Sequence, residues 1–131
     1  MKSFSGKVAA ITGAGSGIGQ ATAIALAQEG CHLAISDISK ESLDKTVELL
    51  AGYPVVISTH EVDVSDRKAV YQYAEDTVAT HGKVNLIMNN AGVGLGETVE
   101  NMSYENFEWL MNINFWGVVY GTKAFLPHLQ K

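Results

Sequence analysis

The sequence predicts an α/β fold: a doubly wound parallel sheet with its strands in the order 3-2-1-4. Three observations carry this. Along the 131 residues, short apolar runs alternate with stretches of helical period four times over, the pattern of right-handed βαβ units. The first run passes through a glycine-rich turn straight into a helix. Polar or glycine-rich residues follow each of the four runs, where open α/β sheets hold their ligands.

Taken in order, Val8 to Ile11 is short and wholly apolar, so it reads as a central strand buried on both faces. The first helix begins near Gly17 and ends near Glu29-Gly30. Cys31 to Ser36 is the second strand, with Asp37 just beyond its carboxyl end. Ser39 is placed to cap a helix carrying Leu43, Val47 and Leu50 at helical spacing, and Gly52-Tyr53-Pro54 breaks it. Val55 to Ser58 is the third strand, with an extension to Val62 open. Asp63-Val64-Ser65-Asp66 caps a third helix with Val70, Ala74 and Val78 inward, ended by Gly82. Val84 to Met88 is the fourth strand, followed by Asn89-Asn90-Ala91-Gly92. A long last helix is expected from Ser103 to about Leu126, where Pro127 disfavours continuation. Its inward face is expected to carry Phe107, Leu110, Met111, Val118, Gly121 and Phe125, with Asn114 among them. One domain over residues 1–131 is expected.

Composition narrows the function. Hydrophobic residues make up 47% and charged residues 18%, which supports a packed core. Net charge is −5, and the basic residues form no cluster. A nucleic-acid partner is therefore not expected, since phosphate neutralisation needs a basic footprint. Cys31 is the only cysteine, which fits a reducing compartment. No apolar run approaches the roughly 20 residues of a membrane span, and Met1 to Gly6 does not resemble a signal peptide. A cytoplasmic location without a membrane partner is the expectation. His32, His60, His81 and His128 make no metal spacing and read as surface or strand-edge residues. Trp109, Trp116 and Tyr120 read as packing or interface residues.

The glycine turn is the strongest chemical signal. Gly13, Gly15, Gly17 and Gly19 give Thr-Gly-x-x-x-Gly-x-Gly, not the general Gly-x-Gly-x-x-Gly. Glycines let the backbone bend with positive φ and approach a ligand. The helix behind them offers free N–H groups to a pyrophosphate. A turn that holds no ligand is the alternative. Asp37 lies 20 residues after Gly17, near the spacing of the acid that binds the adenosine ribose. A carboxylate there accepts both ribose hydroxyls and repels a 2′-phosphate, which favours NAD over NADP. Lys40 is the nearest cation, and a capping role for Asp37 is the other reading. Asp63 can meet the adenine edge with Val64 over the ring, or start the next helix. Ala91 and Gly92 allow close approach to a ligand, and Asn89 or Asn90 can tie strand ends together. An inward Asn114 needs hydrogen-bond partners. It can bond backbone, or hold a water near a reaction centre.

These motifs together resemble the classical short-chain dehydrogenase/reductase family. The likeness rests on Thr12 to Gly19, Asp37, Asp63-Val64, Asn89 to Gly92, and Asn112-Ile113-Asn114-Phe115-Trp116-Gly117. It implies a Rossmann-type domain that binds NAD, with NADP less favoured, and transfers hydride between nicotinamide and an alcohol or carbonyl substrate. It implies that Gly13, Ser16, Gly17, Ile18 and Gly19 hold the pyrophosphate and that Asp37 selects NAD. Asp63 and Val64 meet adenine, and Asn90, Ala91 and Gly92 lie along the cofactor. Asn114 matches the family's active-site Asn, which maintains a proton relay through water. It also implies a homo-oligomer. The departure is that no Tyr-x-x-x-Lys occurs, and Tyr120 has Lys123 only three residues on. The chain thus reads as the N-terminal portion of such an enzyme, with an incomplete sheet. Its alternative is a non-catalytic dinucleotide-binding module or an inactive truncated fragment.

Overall fold

The computed structural model describes residues 3–94 and 96–131. Its sheet contains β1 (Val8–Ile11), β2 (His32–Asp37), β3 (Ile57–Glu61) and β4 (Leu86–Met88). The order is β3-β2-β1-β4, and every pairing is parallel, as expected. Between the strands run α1 (Gly17–Gln28), α2 (Lys40–Leu50) and α3 (Arg67–His81). After β4 come α4 (Tyr104–Met111), a π-helical stretch Asn112–Trp116, and α5 (Gly117–Leu129).

Strand alternation divides the core into two layers. Ala9, Ile11, Leu33 and Ile35 face one side, packed with Ala23, Leu26 and Ala27 of α1 and Leu43 and Leu50 of α2. Ala10 and Ala34 face the other, against Val70, Tyr73 and Ala74 of α3 and Ala124 and Phe125 of α5. β1 is buried along its whole length, as its apolar run requires. Ser39 caps α2 by accepting from the Ser42 N–H, Asp66 caps α3 by accepting from Ala69, and Ser103 caps α4 by accepting from Asn106. Gly82 ends α3, and Gly30 follows the end of α1, as the sequence predicts.

Several boundaries differ from the sequence reading. β2 includes Asp37. β3 begins at Ile57, because Tyr53 and Val55 are still in a turn, with the Tyr53 N–H bonded to Leu50 and the Val55 N–H to Tyr53. β4 is shorter, because the Asn85 side chain accepts the Val8 N–H at 2.9 Å in place of a ladder bond. The last helix runs through Pro127 to Leu129. So close to the helix end, the proline costs one intrahelical bond and leaves little helix beyond it to distort. Met111 and Val118 are exposed instead of inward, while Gly121 and Phe125 are buried. The π stretch adds a residue to the turn there, so a stripe drawn at 3.6-residue spacing does not continue across it. Asn114 lies in that stretch and is exposed, not buried amid an inward face.

Candidate active site: a cleft at the strand ends

Below the carboxyl ends of the four strands lies a cleft of about 420 Å³. Gly13 reaches it after β1, Asp37 at the end of β2, Val62 to Ser65 after β3, and Asn90 to Val93 after β4. The chain reverses its direction across the sheet between β1 and β4, so this is the switch point of the fold.

The turn after β1 is tightly built. Gly13 and Gly17 take positive φ, 65° and 55°, conformations that side chains disfavour. A Cβ on Gly13 would lie 2.9 Å from the Ala91 Cα, and one on Gly19 would lie 2.6 Å from the Asn90 amide nitrogen. Small residues here thus bring α1 and the β4 end together. Thr12 Oγ1 accepts from the Asn90 and Ala91 N–H groups at 3.0 Å each. The Asn90 amide donates to the Gly13 carbonyl at 3.2 Å, so of the two asparagines Asn90 ties the strand ends. Asn89 turns away to the Thr122 hydroxyl.

The helix end is open to an anion. Ser16 precedes α1 in extended conformation, its hydroxyl makes no capping bond, and no acidic residue stands in the first turn. The first N–H groups of α1 and the positive end of its dipole therefore face no carboxylate of their own helix. Ile18 stands 72% exposed beside them. Gly17, Ile18 and Gly19 do not themselves line the cleft, whereas Gly13 and Ser16 do.

Asp37 is clamped at the cleft's edge. One carboxylate oxygen accepts the Gly15 N–H at 2.9 Å and the other the Ser39 N–H at 3.0 Å. Each oxygen keeps a further lone pair. Asp63 accepts from both the amide and the hydroxyl of Ser65, at 3.0 and 2.6 Å. The cap of α3 is Asp66, so Asp63 is not needed as one. Val64 is buried, and a Cβ on Gly117 would lie 2.9 Å from its Cγ2. Asn114 grips Val93 with both ends of its amide: Oδ1 accepts the Val93 N–H at 2.8 Å and Nδ2 donates to the Val93 carbonyl at 2.7 Å.

The cleft also contains residues that motif reading missed, chiefly Ile38, Trp109 and Ile113. Trp109 is 44% exposed and lines the cleft, whereas the sequence assigned it to packing or an interface. Trp116 is equally exposed and stacks on Tyr120, with ring centroids 6.1 Å apart. The histidines are not all separate surface groups. Ser58 Oγ lies 2.8 Å from Nε2 of both His60 and His81, and none of the three lines the cleft. Among the described residues no cluster suited to a metal ion forms.

The family model for short chain dehydrogenase matches residues 7–131. The chain belongs to the short-chain dehydrogenase family. It is 44% identical over 129 residues to a Mycobacterium tuberculosis protein named "Putative oxidoreductase SadH", covering 98% of this chain and 47% of that one. The structure of a short-chain dehydrogenase/reductase from Burkholderia phymatum in complex with NAD superposes with a TM-score of 0.94 at 37% identity, over 98% of this chain and 46% of that chain. An alcohol dehydrogenase from the archaeon Thermococcus sibiricus, complexed with 5-hydroxy-NADP, gives a TM-score of 0.90 at 37% identity, over 95% and 53%. The chain thus spans about half the length of the relatives it matches. The first of these two structures holds NAD and the second 5-hydroxy-NADP.

Proposed function

We propose that residues 1–131 form the dinucleotide-binding portion of an NAD(H)-dependent short-chain dehydrogenase acting on an alcohol or carbonyl compound. The observation that carries this reading is the clamped Asp37 carboxylate at the edge of the cleft. In that place it accepts the two hydroxyls of an adenosine ribose, while its charge opposes a 2′-phosphate. No Lys or Arg lines the cleft among the described residues, and Lys40 is turned to Asp44 at 3.1 Å. Both support NAD over NADP.

The other roles follow from position. The Ser16 hydroxyl and the N–H groups at Gly17, Ile18 and Gly19 suit the pyrophosphate, because nothing in α1 competes for them. Gly13 lets the backbone come near it. Asp63 and Val64 suit the adenine, the first as an acceptor and the second as an apolar cover. Asn90, Ala91 and Gly92 line the part of the cleft left for the nicotinamide half. When bound, the nicotinamide supplies the carbon that gives or takes a hydride. Asn114 holds Val93 in register beside it, and its second N–H and spare lone pair can hold a water. An amide neither gives nor takes a proton at neutral pH, so Asn114 orders a relay and is not its acid or base.

The absence of Tyr-x-x-x-Lys from the 131 residues favours a second description of the chain taken alone, as a dinucleotide-binding module without turnover. Calorimetric titration of the chain with NAD and with NADP tests the binding reading. Tighter binding of NAD is expected. Equal or tighter binding of NADP would refute the role given to Asp37, and binding of neither would refute the module.

A further inference from the structure

We propose that Thr46 and Gln20, neither of which lines the cleft, are positioning residues that set the two peptide planes of the glycine turn. The inference rests on the dinucleotide reading above. Thr46 lies in the middle of α2 and is 0% exposed, an unusual place for a hydroxyl. Such a threonine ordinarily bonds back to its own helix. Here the Ser42 carbonyl is at 3.3 Å, but the Ala14 carbonyl of the turn is nearer, at 2.9 Å. With one hydrogen to give, Thr46 donates to Ala14 and accepts from the Gln20 amide at 3.0 Å. The same Gln20 nitrogen reaches the Gly15 carbonyl at 3.4 Å.

A trans peptide plane carries its C=O and its N–H on opposite sides. Holding the Ala14 carbonyl inward therefore turns the Gly15 N–H outward, where it meets Asp37 at 2.9 Å. Holding the Gly15 carbonyl inward turns the Ser16 N–H toward the cleft, and that N–H has no acceptor among the described residues. Without these anchors either plane can rotate and aim a carbonyl oxygen where an anion should sit. The fit leaves no slack, since a Cβ on Gly15 would lie 2.8 Å from Asp37 Oδ2 and 2.5 Å from the Ser42 Cβ. Thr46 thus governs the ribose contact through Asp37, and Gln20 the phosphate contact through Ser16.

The two roles separate in a binding experiment. NAD and NADP are titrated calorimetrically into the chain and into Thr46→Val, Thr46→Ser and Gln20→Leu, each first checked for a cooperative melt. Thr46→Val should weaken NAD by about tenfold, one hydrogen bond's worth, and narrow the NAD over NADP preference. Thr46→Ser keeps the hydroxyl and should restore both. Gln20→Leu should weaken NAD and NADP by the same factor and leave their ratio unchanged. Should Thr46→Val fail to fold, Thr46→Ala takes its place with the same expected loss, and Gln20→Leu tests the phosphate contact independently. If the unaltered chain binds NAD and the folded variants bind it equally well, the inference alone is overturned. If the unaltered chain binds neither dinucleotide, the dinucleotide reading falls and takes the inference with it.

Discussion

Asp37 holds Gly15 and Ser39 by their amides, one carboxylate oxygen to each, so the charge stays at the cleft's edge in one orientation. In the proposed dehydrogenase, Asp37→Ala should narrow the preference for NAD over NADP by about 1.5–3 kcal/mol, the worth of charge-assisted hydrogen bonds to the ribose. Steady-state kinetics or titration with both cofactors checks it, and an unchanged preference would remove Asp37 from the specificity. Asp37 was legible in the sequence because it stands a fixed distance from a glycine turn. Asn114 was legible only as a residue type in a motif. Its exposure and its two bonds to Val93 depend on a loop some 20 residues earlier, and no local spacing encodes that distance. Trp109 and Ile38 carried no motif, and their place in the cleft follows from where α4 and the end of β2 come to rest.

At the scale of elements, the packing of α3 and α5 on the sheet turns on two aromatic residues. Tyr73 is fully buried, its hydroxyl donating to the Ala34 carbonyl, and its ring meets Phe125 edge-on with centroids 5.1 Å apart. Burial pushes the Tyr73 phenol well above its usual range, so it stays a donor. Phe125→Ala should cost about 3–5 kcal/mol, measured by denaturant unfolding, a large share of the roughly 5–15 kcal/mol that holds a domain folded. A loss below 1 kcal/mol would show that α5 is not anchored there. Beside them, β3 and α3 share the Ser58 hydroxyl between His60 and His81. Burial lowers the His60 pKa, partly opposed by Asp76 of α3 and reinforced by His81. Burial also lowers that of His81, with His32 of β2 adding to it. Both imidazoles are thus harder to protonate in the fold than in the unfolded chain, which takes up protons first. Stability should be level above the ordinary imidazole value of about 6.5 and fall as pH drops below it. Melting temperatures between pH 7.5 and 5.5 check this against His60→Gln/His81→Gln, in which the fall should flatten. Equal slopes in both proteins would show that the pair does not titrate with folding.

Taken whole, the chain leaves many large apolar side chains exposed, several of them on its last helical stretch. Met111, Phe115, Trp116, Val118 and Leu126 are exposed on the last helical stretch, and β4 is the outer strand of the sheet among the described residues. Patches and edges of this kind recruit other chains. The 131-residue chain should therefore self-associate at micromolar concentration, and Phe115→Glu/Trp116→Glu should lower its mass in sedimentation velocity. A monomer at tens of micromolar would refute this. The same chain should show no NADH-linked turnover on alcohols or ketones, since it carries no Tyr-x-x-x-Lys. Measurable turnover would show that the acid–base groups had been misjudged.

The sequence by itself determined the class of fold, the strand order and which polar and glycine-rich residues stand at the strand ends. These are written in short-range signals: the period of apolar residues, glycines at a turn, caps, and polar groups at strand ends. Tertiary structure alone decided the rest. It extended the last helix through Pro127, turned Met111 and Val118 outward across a π stretch, and brought His60 and His81 onto one hydroxyl. It also set Thr46 beneath a turn 32 residues earlier in the chain. Each of these depends on contacts between elements distant in sequence, and a local pattern holds no record of which elements will meet.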